Sequence, residues 1–226
     1  MPGPVLDYRF DDLPALLPIF PLSGVLLLPR GRLPLNIFEP RYLCMIDDAM
    51  KGHRLIGMVQ PDPAEANRST RDAPVVYSIG CAGRITSLSE TNDGRYLITL
   101  SGICRFQIAE ELLVTTPYRQ IRTRFAGYRS DLDPPGDDEA GVDRQRLLAA
   151  LRRYLELHKM EADWNAIESA ATESLVNSLG MVCPFEPQEK QALLEAPDLG
   201  QRAKVLVALI ELASAQAYGG PKPPLQ

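Results

Sequence analysis

The chain has 226 residues, of which 45% are hydrophobic, and a formal net charge of −5 at pH 7. This length and apolar content suffice for a sizeable core, in one domain or in two closely packed ones, and they exclude a chain that is mostly disordered. An acidic total gives no general attraction to nucleic acid or to anionic membrane, although it can conceal a local basic face.

The N-terminal segment predicts neither a secretory leader nor a membrane span. Residues Met1 to Asp12 have no basic start and carry three aspartates, and prolines interrupt the apolar residues that follow. The four cysteines are scattered along the chain at Cys44, Cys81, Cys104 and Cys183. Because none forms a C-x-x-C pair and only two histidines are present, we expect buried thiols in a reducing cytoplasm, with no metal and no cofactor.

From about Leu17 to Phe125 the sequence predicts short strands that are rich in β-branched or aromatic residues. These strands are Leu55 to Val59, Val75 to Ala82, Arg84 to Ser89, Arg95 to Leu100, Ile103 to Ile108 and Tyr118 to Phe125. Alternation of apolar and polar residues indicates a sheet with one well-buried face. Asn92-Asp93-Gly94 predicts a hairpin turn, because Gly94 can supply left-handed backbone, and Ser101-Gly102 predicts the next turn.

One helix is expected within this strand-rich part, between Pro40 and Gly52. Proline suits the first helical position, where its missing N–H costs nothing, and glycine suits the position just past the helix end. Tyr42, Met45, Ile46 and Ala49 recur at helical spacing and share one face, which predicts that this face is buried.

The character of the sequence changes at Ser130 to Asp143, an acidic segment with two adjacent prolines that predicts a linker or surface loop. Apolar residues then recur with a helical period. One stripe comprises Leu147, Leu151, Tyr154, Leu155 and His158, and a second comprises Ile167, Ala171, Leu175 and Leu179. Pro187 can open a short helix through Glu195, and Asp198 can cap the last helix.

These patterns predict an α+β chain with strands first and helices second. We expect a β-rich part over residues 1–129 that closes on itself, with the Pro40 helix packed against it. The acidic segment 130–143, a bundle of about four helices over 144–218 and a loose tail over 219–226 follow.

Four stretches of the chain resemble, in the same order, the N-terminal substrate-binding domain of the ATP-dependent protease Lon, which also occurs in cereblon-like proteins and in stand-alone bacterial proteins. The stretches are FPLSGVLLLPRGRLPLNIFEPRY, DGRYLITLSGICRF, Pro117-Tyr118 and EKQALLE. The resemblance implies a small PUA-like pseudo-barrel joined to a helical half. We interpret the motif positions as structural: Phe38, Glu39, Pro40, Arg41, Tyr42, Asp93, Gly94, Gly102, Arg105 and Phe106.

Catalytic motifs of a complete Lon protease are not present in this sequence. The chain has no G-x-x-x-x-G-K-[ST] loop to cradle nucleotide phosphates and no S-x-x-K motif for a serine–lysine peptidase. Asp47 and Asp48 are adjacent on a helix and therefore point about 100° apart, and Asp137-Asp138-Glu139 lie in the acidic segment. We therefore expect no enzymatic activity.

Recognition of unfolded protein requires exposed apolar surface or a free sheet edge on the binding module. These surfaces bind apolar side chains and extended backbone, which a folded client buries and an unfolded client exposes. The candidate apolar residues are Val25, Leu26, Leu27 and Leu28, with Met181, Val182 and Phe185 in the MVCPF loop. Burial in an ordinary core is the alternative for both groups. The corner at Glu39, Arg41 and Tyr42 either ties the helix to the barrel, which we favour, or borders a polypeptide groove.

The expected function is a non-catalytic module that binds unfolded or tagged polypeptide, or an adaptor to proteolysis that works with a protease or chaperone. A small-ligand-binding regulator is one alternative, although the chain lacks the paired cysteines of a cereblon-type ligand domain. Weak RNA binding is another, because Arg84 to Arg129 contains seven arginines against four acidic residues. No membrane partner is expected.

Overall fold

The computed structural model describes residues 8–70, 73–134 and 141–219, with only the backbone of 217–219. The strands are β1 (Leu16–Pro21), β2 (Arg32–Ile37), β3 (Leu55–Val59), β4 (Ile79–Glu90), β5 (Tyr96–Glu111) and β6 (Gln120–Arg124). The helices are α1 (Pro40–Lys51), α2 (Arg144–Leu157), α3 (Trp164–Ser169), α4 (Thr172–Val182), α5 (Pro187–Glu195) and α6 (Leu199–Gly219). Short 3₁₀ helices cover Phe10–Asp12, Pro63–Arg68 and Ala126–Leu132. The predicted α+β class is confirmed.

The six strands form one sheet in the order β2-β5-β4-β3-β1-β6, and β6 pairs in addition with the second half of β5. This last pairing closes β5, β4, β3, β1 and β6 into a barrel. Only the β1–β3 pair is parallel among the pairings of the described strands. Strand β2 pairs with the first half of β5 and lies outside the ring, so its other edge has no neighbouring strand among the described residues.

The turn predicted at Asn92-Asp93-Gly94 is confirmed, because Gly94 has a φ of +75° and its N–H donates to the Thr91 carbonyl. The turn predicted at Ser101-Gly102 is wrong, since β5 runs through both residues. Gly102 pairs with Gly83 while Cys104 pairs with Ala82, which leaves one extra residue on β5 as a bulge. A glycine is needed at 102 because a Cβ there would overlap the Leu28 carbonyl oxygen.

Helix α1 confirms the prediction made from Pro40 and Gly52. It begins at Pro40, ends at Lys51 and is followed directly by Gly52. Its buried face consists of Tyr42, Met45, Ile46 and Ala49. The ring of Tyr42 packs on Phe20 of β1 with a centroid distance of 4.3 Å, so α1 is fixed against the barrel.

The C-terminal helices agree with the predicted periodicity except at one break. The stripe on α2 is buried at Leu147, Leu151, Tyr154 and Leu155. The second predicted stripe is interrupted, because Ala170 and Ala171 are extended and separate α3 from α4. The described part of the chain therefore contains five helices after the barrel. Helix α5 spans the predicted residues, and the Asp198 carboxylate accepts the Gln201 N–H at 2.7 Å before α6.

Two hydrophobic clusters fill the interior of the described part of the chain. The smaller cluster lies inside the barrel around Phe106, whereas the larger one combines Leu100 of β5, Met45 of α1 and Leu206 of α6. The helices are thus packed onto the barrel by a shared core. Of the acidic segment, residues 135–140, which include Asp137, Asp138 and Glu139, lie outside the described residues.

Candidate functional site

A cleft of about 930 Å³ opens between β2 and α4, and we call it the α4 cleft. Leu33 and Pro34 of β2 form one wall, and Ser174 and Val182 of α4 belong to the other. The side of α4 is fixed by Asn177, whose amide nitrogen donates to the Pro29 carbonyl and whose oxygen accepts from Arg202. Val182 is 81% exposed, so a branched apolar side chain stands in water at this cleft.

A second cleft of about 740 Å³ lies toward the other end of β2, and we call it the corner cleft. Its walls include Leu35 of β2, Phe38 and the helix start at Arg41 and Tyr42. Phe38 is 61% exposed. Arg41 forms an ion pair with Glu39 at 2.9 Å and stacks over the Tyr42 ring at 4.7 Å. The corner residues therefore hold the start of α1 and also border a cleft.

The apolar residues expected at the surface divide into two groups. Leu26, Leu27 and Leu28 are only 2%, 2% and 0% exposed, so the expectation of a binding surface there is corrected. The physical reason is that Gly83 and Gly102 lack side chains, which lets the segment before β2 lie directly on the sheet. Phe185 is also buried. Val25 and Met181 are half-buried, and Val182 remains exposed.

The interpretation of Arg105 as structural is supported by its surroundings. Its side chain is 3% exposed and forms an ion pair at 2.8 Å with Asp131, which is also buried. The same guanidinium donates to the Leu194 and Ala196 carbonyls at the end of α5. Sequence reasoning had assigned Asp131 to a loop or linker, because no local pattern marks a partner 26 residues away.

The RNA alternative depended on the arginines between Arg84 and Arg129. Four of the seven form ion pairs: Arg95 with Asp93, Arg105 with Asp131, Arg119 with Glu111 and Arg122 with Glu110. Arg129 stacks on the Phe10 ring. Most of these arginines are therefore balanced by a nearby carboxylate, which does not favour nucleic-acid binding.

The titratable groups do not resemble a nucleophilic or metal site. Burial raises the pKa of the Cys104 thiol to about 12 and that of Cys81 well above its usual value. Burial and a hydrogen bond to Asp48 raise the pKa of the Tyr118 phenol to about 12. Within residues 8–70, 73–134 and 141–219, no three His, Cys, Asp or Glu side chains are grouped as a metal would require. No helix of the described chain is long and apolar enough to cross a membrane.

Comparison with known protein families gives one match over most of the chain. The model of the ATP-dependent protease La (LON) substrate-binding domain matches residues 16–211. The chain is 28% identical over 220 residues to Lon protease of Anaeromyxobacter dehalogenans (strain 2CP-C), covering 92% of this chain and 24% of that protein. It is also 28% identical over 212 residues to Lon protease 2 of Myxococcus xanthus, with 88% and 24% covered. The chain thus spans about a quarter of the length of these relatives.

Solved structures show the same fold. A Lon N-terminal domain protein from Xanthomonas campestris superimposes with a TM-score of 0.58 and 21% identity, covering 85% of this chain and 97% of that one. The N-terminal domain of Mycobacterium avium complex Lon protease gives a TM-score of 0.60 and 15% identity, with 86% and 97% covered. At these identities the likeness concerns the fold alone.

Proposed function

The chain belongs to the Lon substrate-binding domain family, and from this premise we propose that it binds unfolded or tagged polypeptide in the α4 cleft and the corner cleft. The chain performs no chemistry on its client. It holds the polypeptide by apolar and main-chain contacts and presents it to a protease. The corresponding partners are a protease or a chaperone in the cytoplasm.

The observation that carries this proposal is the exposure of large apolar side chains at both clefts. Phe38 at the corner cleft and Val182 at the α4 cleft both stand mostly in water. Exposed apolar groups beside concave surface are typical of interaction sites. A folded protein conceals its own apolar side chains, so these residues favour clients whose interior has become accessible.

Two features support the absence of catalysis. The buried thiols of Cys81 and Cys104 have raised pKa values and therefore remain protonated near neutral pH, where they are poor nucleophiles. The two clefts are lined mainly by apolar and hydroxyl side chains and by ion-paired residues such as Arg41 and Glu39. These linings suit reversible binding.

Fluorescence anisotropy with a reduced, carboxymethylated and permanently unfolded protein tests the proposal. Phe38→Ala is expected to weaken binding about tenfold and Val182→Ala about threefold, because each removes apolar surface that the client would bury. Leu113→Ala is the matched control, since Leu113 is fully exposed and lines neither cleft. Its affinity is expected to stay within twofold of the parent chain.

The same titration includes the folded form of the client and an RNA oligomer, at 50 mM and 500 mM salt. We expect no binding of the folded form and little effect of salt on the unfolded one, because apolar contacts are not screened. RNA binding that falls steeply with salt, without polypeptide binding, would contradict the proposal. Equal affinities of the Phe38, Val182 and Leu113 variants would contradict the location of the site.

A further inference from the structure

The outer edge of β2 carries main-chain groups that pair with no other strand among the described residues. The Gly102 N–H donates to the Gly31 carbonyl at 2.9 Å, so from Gly31 through β2 the odd-numbered residues direct their backbone groups toward β5. Successive residues of a strand alternate in this direction. The backbone groups of Arg32, Pro34 and Asn36 therefore point away from β5, and the described residues provide no partner strand there. Pro34 has no N–H to lose, which suits an outward position.

The side chains of β2 indicate what kind of segment fits beside it. Leu33 and Leu35 lie on the core side of the sheet and pack against the larger hydrophobic cluster, yet both remain half-exposed. Leu33 borders the α4 cleft and Leu35 the corner cleft, so open space adjoins both. In the part of the chain that the structure describes, the core face of the sheet thus ends at two leucines beside which no further strand lies.

The opposite face of β2 is solvent-exposed and carries two polar side chains, those of Arg32 and Asn36, on either side of Pro34. Arg32, Pro34 and Asn36 are all exposed on that side. No ion pair is recorded for Arg32 among the described residues, whereas Arg30 in the same cleft is held by Glu173 at 2.6 Å. An acidic side chain directly across from Arg32 would complete an opposite-charge pair.

We propose that the bound polypeptide adds to the outer edge of β2 as an antiparallel strand, selected for alternating apolar and polar residues with an acidic residue opposite Arg32. This inference rests on the proposed function and specifies its mode and client class. The N–H and C=O groups of Arg32 and Asn36 and the C=O of Pro34 supply the main-chain bonds. The apolar residues of the client cover Leu33 and Leu35, which extends the core face of the sheet by one strand.

The proposal distinguishes two kinds of unfolded segment. Segments whose apolar residues recur every second position bind, because all of them reach the leucine side together. Segments of the same composition with a helical period bind weakly, because an extended chain places their apolar residues on both faces. Strands that are buried in a folded client belong to the first kind.

The test uses labelled nine-residue peptides and fluorescence anisotropy. The first peptide alternates apolar residues with polar ones and carries a central glutamate, and the second rearranges the same residues to a helical period. We expect the alternating peptide to bind at least about tenfold more tightly. Replacing its glutamate by glutamine is expected to weaken binding to the parent chain about two- to fivefold but to have no effect on the Arg32→Gln variant.

Selective N-methylation tests the main-chain bonds directly. Residues that lie directly opposite each other in an antiparallel pair have their side chains on the same face of the sheet. The polar residues of the client therefore lie opposite Arg32, Pro34 and Asn36, and their amide N–H groups point toward β2. Methylating two of these amides is expected to weaken binding at least about tenfold, since two hydrogen bonds are lost. Methylating two amides of the apolar set is expected to change affinity less than threefold.

A matched pair of protein variants tests the β2 side. Asn36→Pro removes an outward N–H for which the described part of the chain offers no strand partner, and Asn36→Ala keeps it. Both variants lose the asparagine side chain, so their difference reports the N–H alone, and we expect Asn36→Pro to bind about fivefold more weakly than Asn36→Ala. Circular dichroism and thermal unfolding check that both fold, and if Asn36→Pro does not fold, the N-methylated peptides decide.

Three outcomes would overturn the inference. The first is that unfolded protein binds, but the two N-methylated peptides have equal affinities and the alternating and helical-period peptides also have equal affinities. Strand addition is then refuted and the proposed function stands. If no polypeptide binds at all, the proposed function fails as well. If light scattering shows a dimer that Asn36→Pro dissociates, a second copy of the chain occupies the edge instead.

Discussion

At the scale of single residues, buried or half-buried cations close the ends of helices. Arg105 donates to the last carbonyls of α5, and Arg144 donates to the Ala170 carbonyl just after α3 at 2.8 Å. Lys190 donates to the Met181 carbonyl of α4 and to the Gly24 carbonyl at 2.9 Å. Unpaired carbonyls at helix ends carry partial negative charge, so each cation satisfies them electrostatically and by hydrogen bonding. Burial lowers the pKa of Lys190, because removing the ammonium group from water destabilises its charged form.

Loss of the Arg105 side chain should destabilise the fold strongly. The Arg105→Met variant leaves the buried Asp131 without its counter-ion, and we expect it to lower the free energy of unfolding by about 3–5 kcal/mol. The double variant Arg105→Met/Asp131→Leu should recover a large part of this loss, because neither member of the pair is then left as an unpaired buried charge. Urea unfolding followed by circular dichroism measures both.

Arg122→Met provides the comparison, since Arg122 forms an exposed pair with Glu110. We expect its effect to be below about 1 kcal/mol. An equal effect of the two single variants would show that burial of the Arg105–Asp131 pair does not govern its importance.

At the scale of secondary-structure elements, the long strand β5 organises the barrel. It pairs with β2, β4 and β6, and its bulge near Gly102 falls where the 26–28 segment crosses the sheet. The close approach of Leu28 to Gly102 therefore fixes both the path of that segment and the register of β5.

Gly102→Ala tests this dependence on a missing side chain. The added methyl group would meet the Leu28 backbone, which cannot rotate away as a side chain can. We expect a loss of at least about 2 kcal/mol in the free energy of unfolding. Gly127→Ala is the control, because a Cβ at 127 meets open space, and its effect should lie within about 0.5 kcal/mol. A tolerated Gly102→Ala would mean that the segment shifts easily.

At the scale of the whole molecule, the shared core links the barrel to the helices. Leu28, Leu100 and Leu206 belong to one hydrophobic cluster although they come from different parts of the chain. The division into residues 1–129 and 144–218 remains a prediction about organisation. A shared core of this kind favours cooperative unfolding.

We therefore expect one unfolding transition. Trp164, the only tryptophan of the chain, reports on the helical half, and labelling of the buried thiols Cys81 and Cys104 reports on the barrel. Both probes should give the same urea midpoint in a variant with Cys44→Ser and Cys183→Ser. Separate midpoints would show that the two halves unfold independently.

The sequence by itself determined the helix boundaries, turns and caps that depend on residues close together in the chain. Helix α1 between Pro40 and Gly52, the turn at Gly94 and the capping aspartate at 198 follow from backbone constraints within a few residues, and the helical stripe on α2 follows from its period. Pro34 also carried a signal for an edge strand, which sequence reasoning did not use.

Only the tertiary structure decided which apolar residues are buried, which charges pair and which strand edge stays open. The sequence suggested Leu26, Leu27 and Leu28 as exposed binding residues, yet all three are buried. Glycines of strands β4 and β5, far away in the chain, leave space for them on the sheet. Arg105 contacts Asp131 and the end of α5, and among the described strands β2 pairs on one edge only. These outcomes depend on contacts between residues far apart in the chain, and local sequence patterns do not encode such contacts.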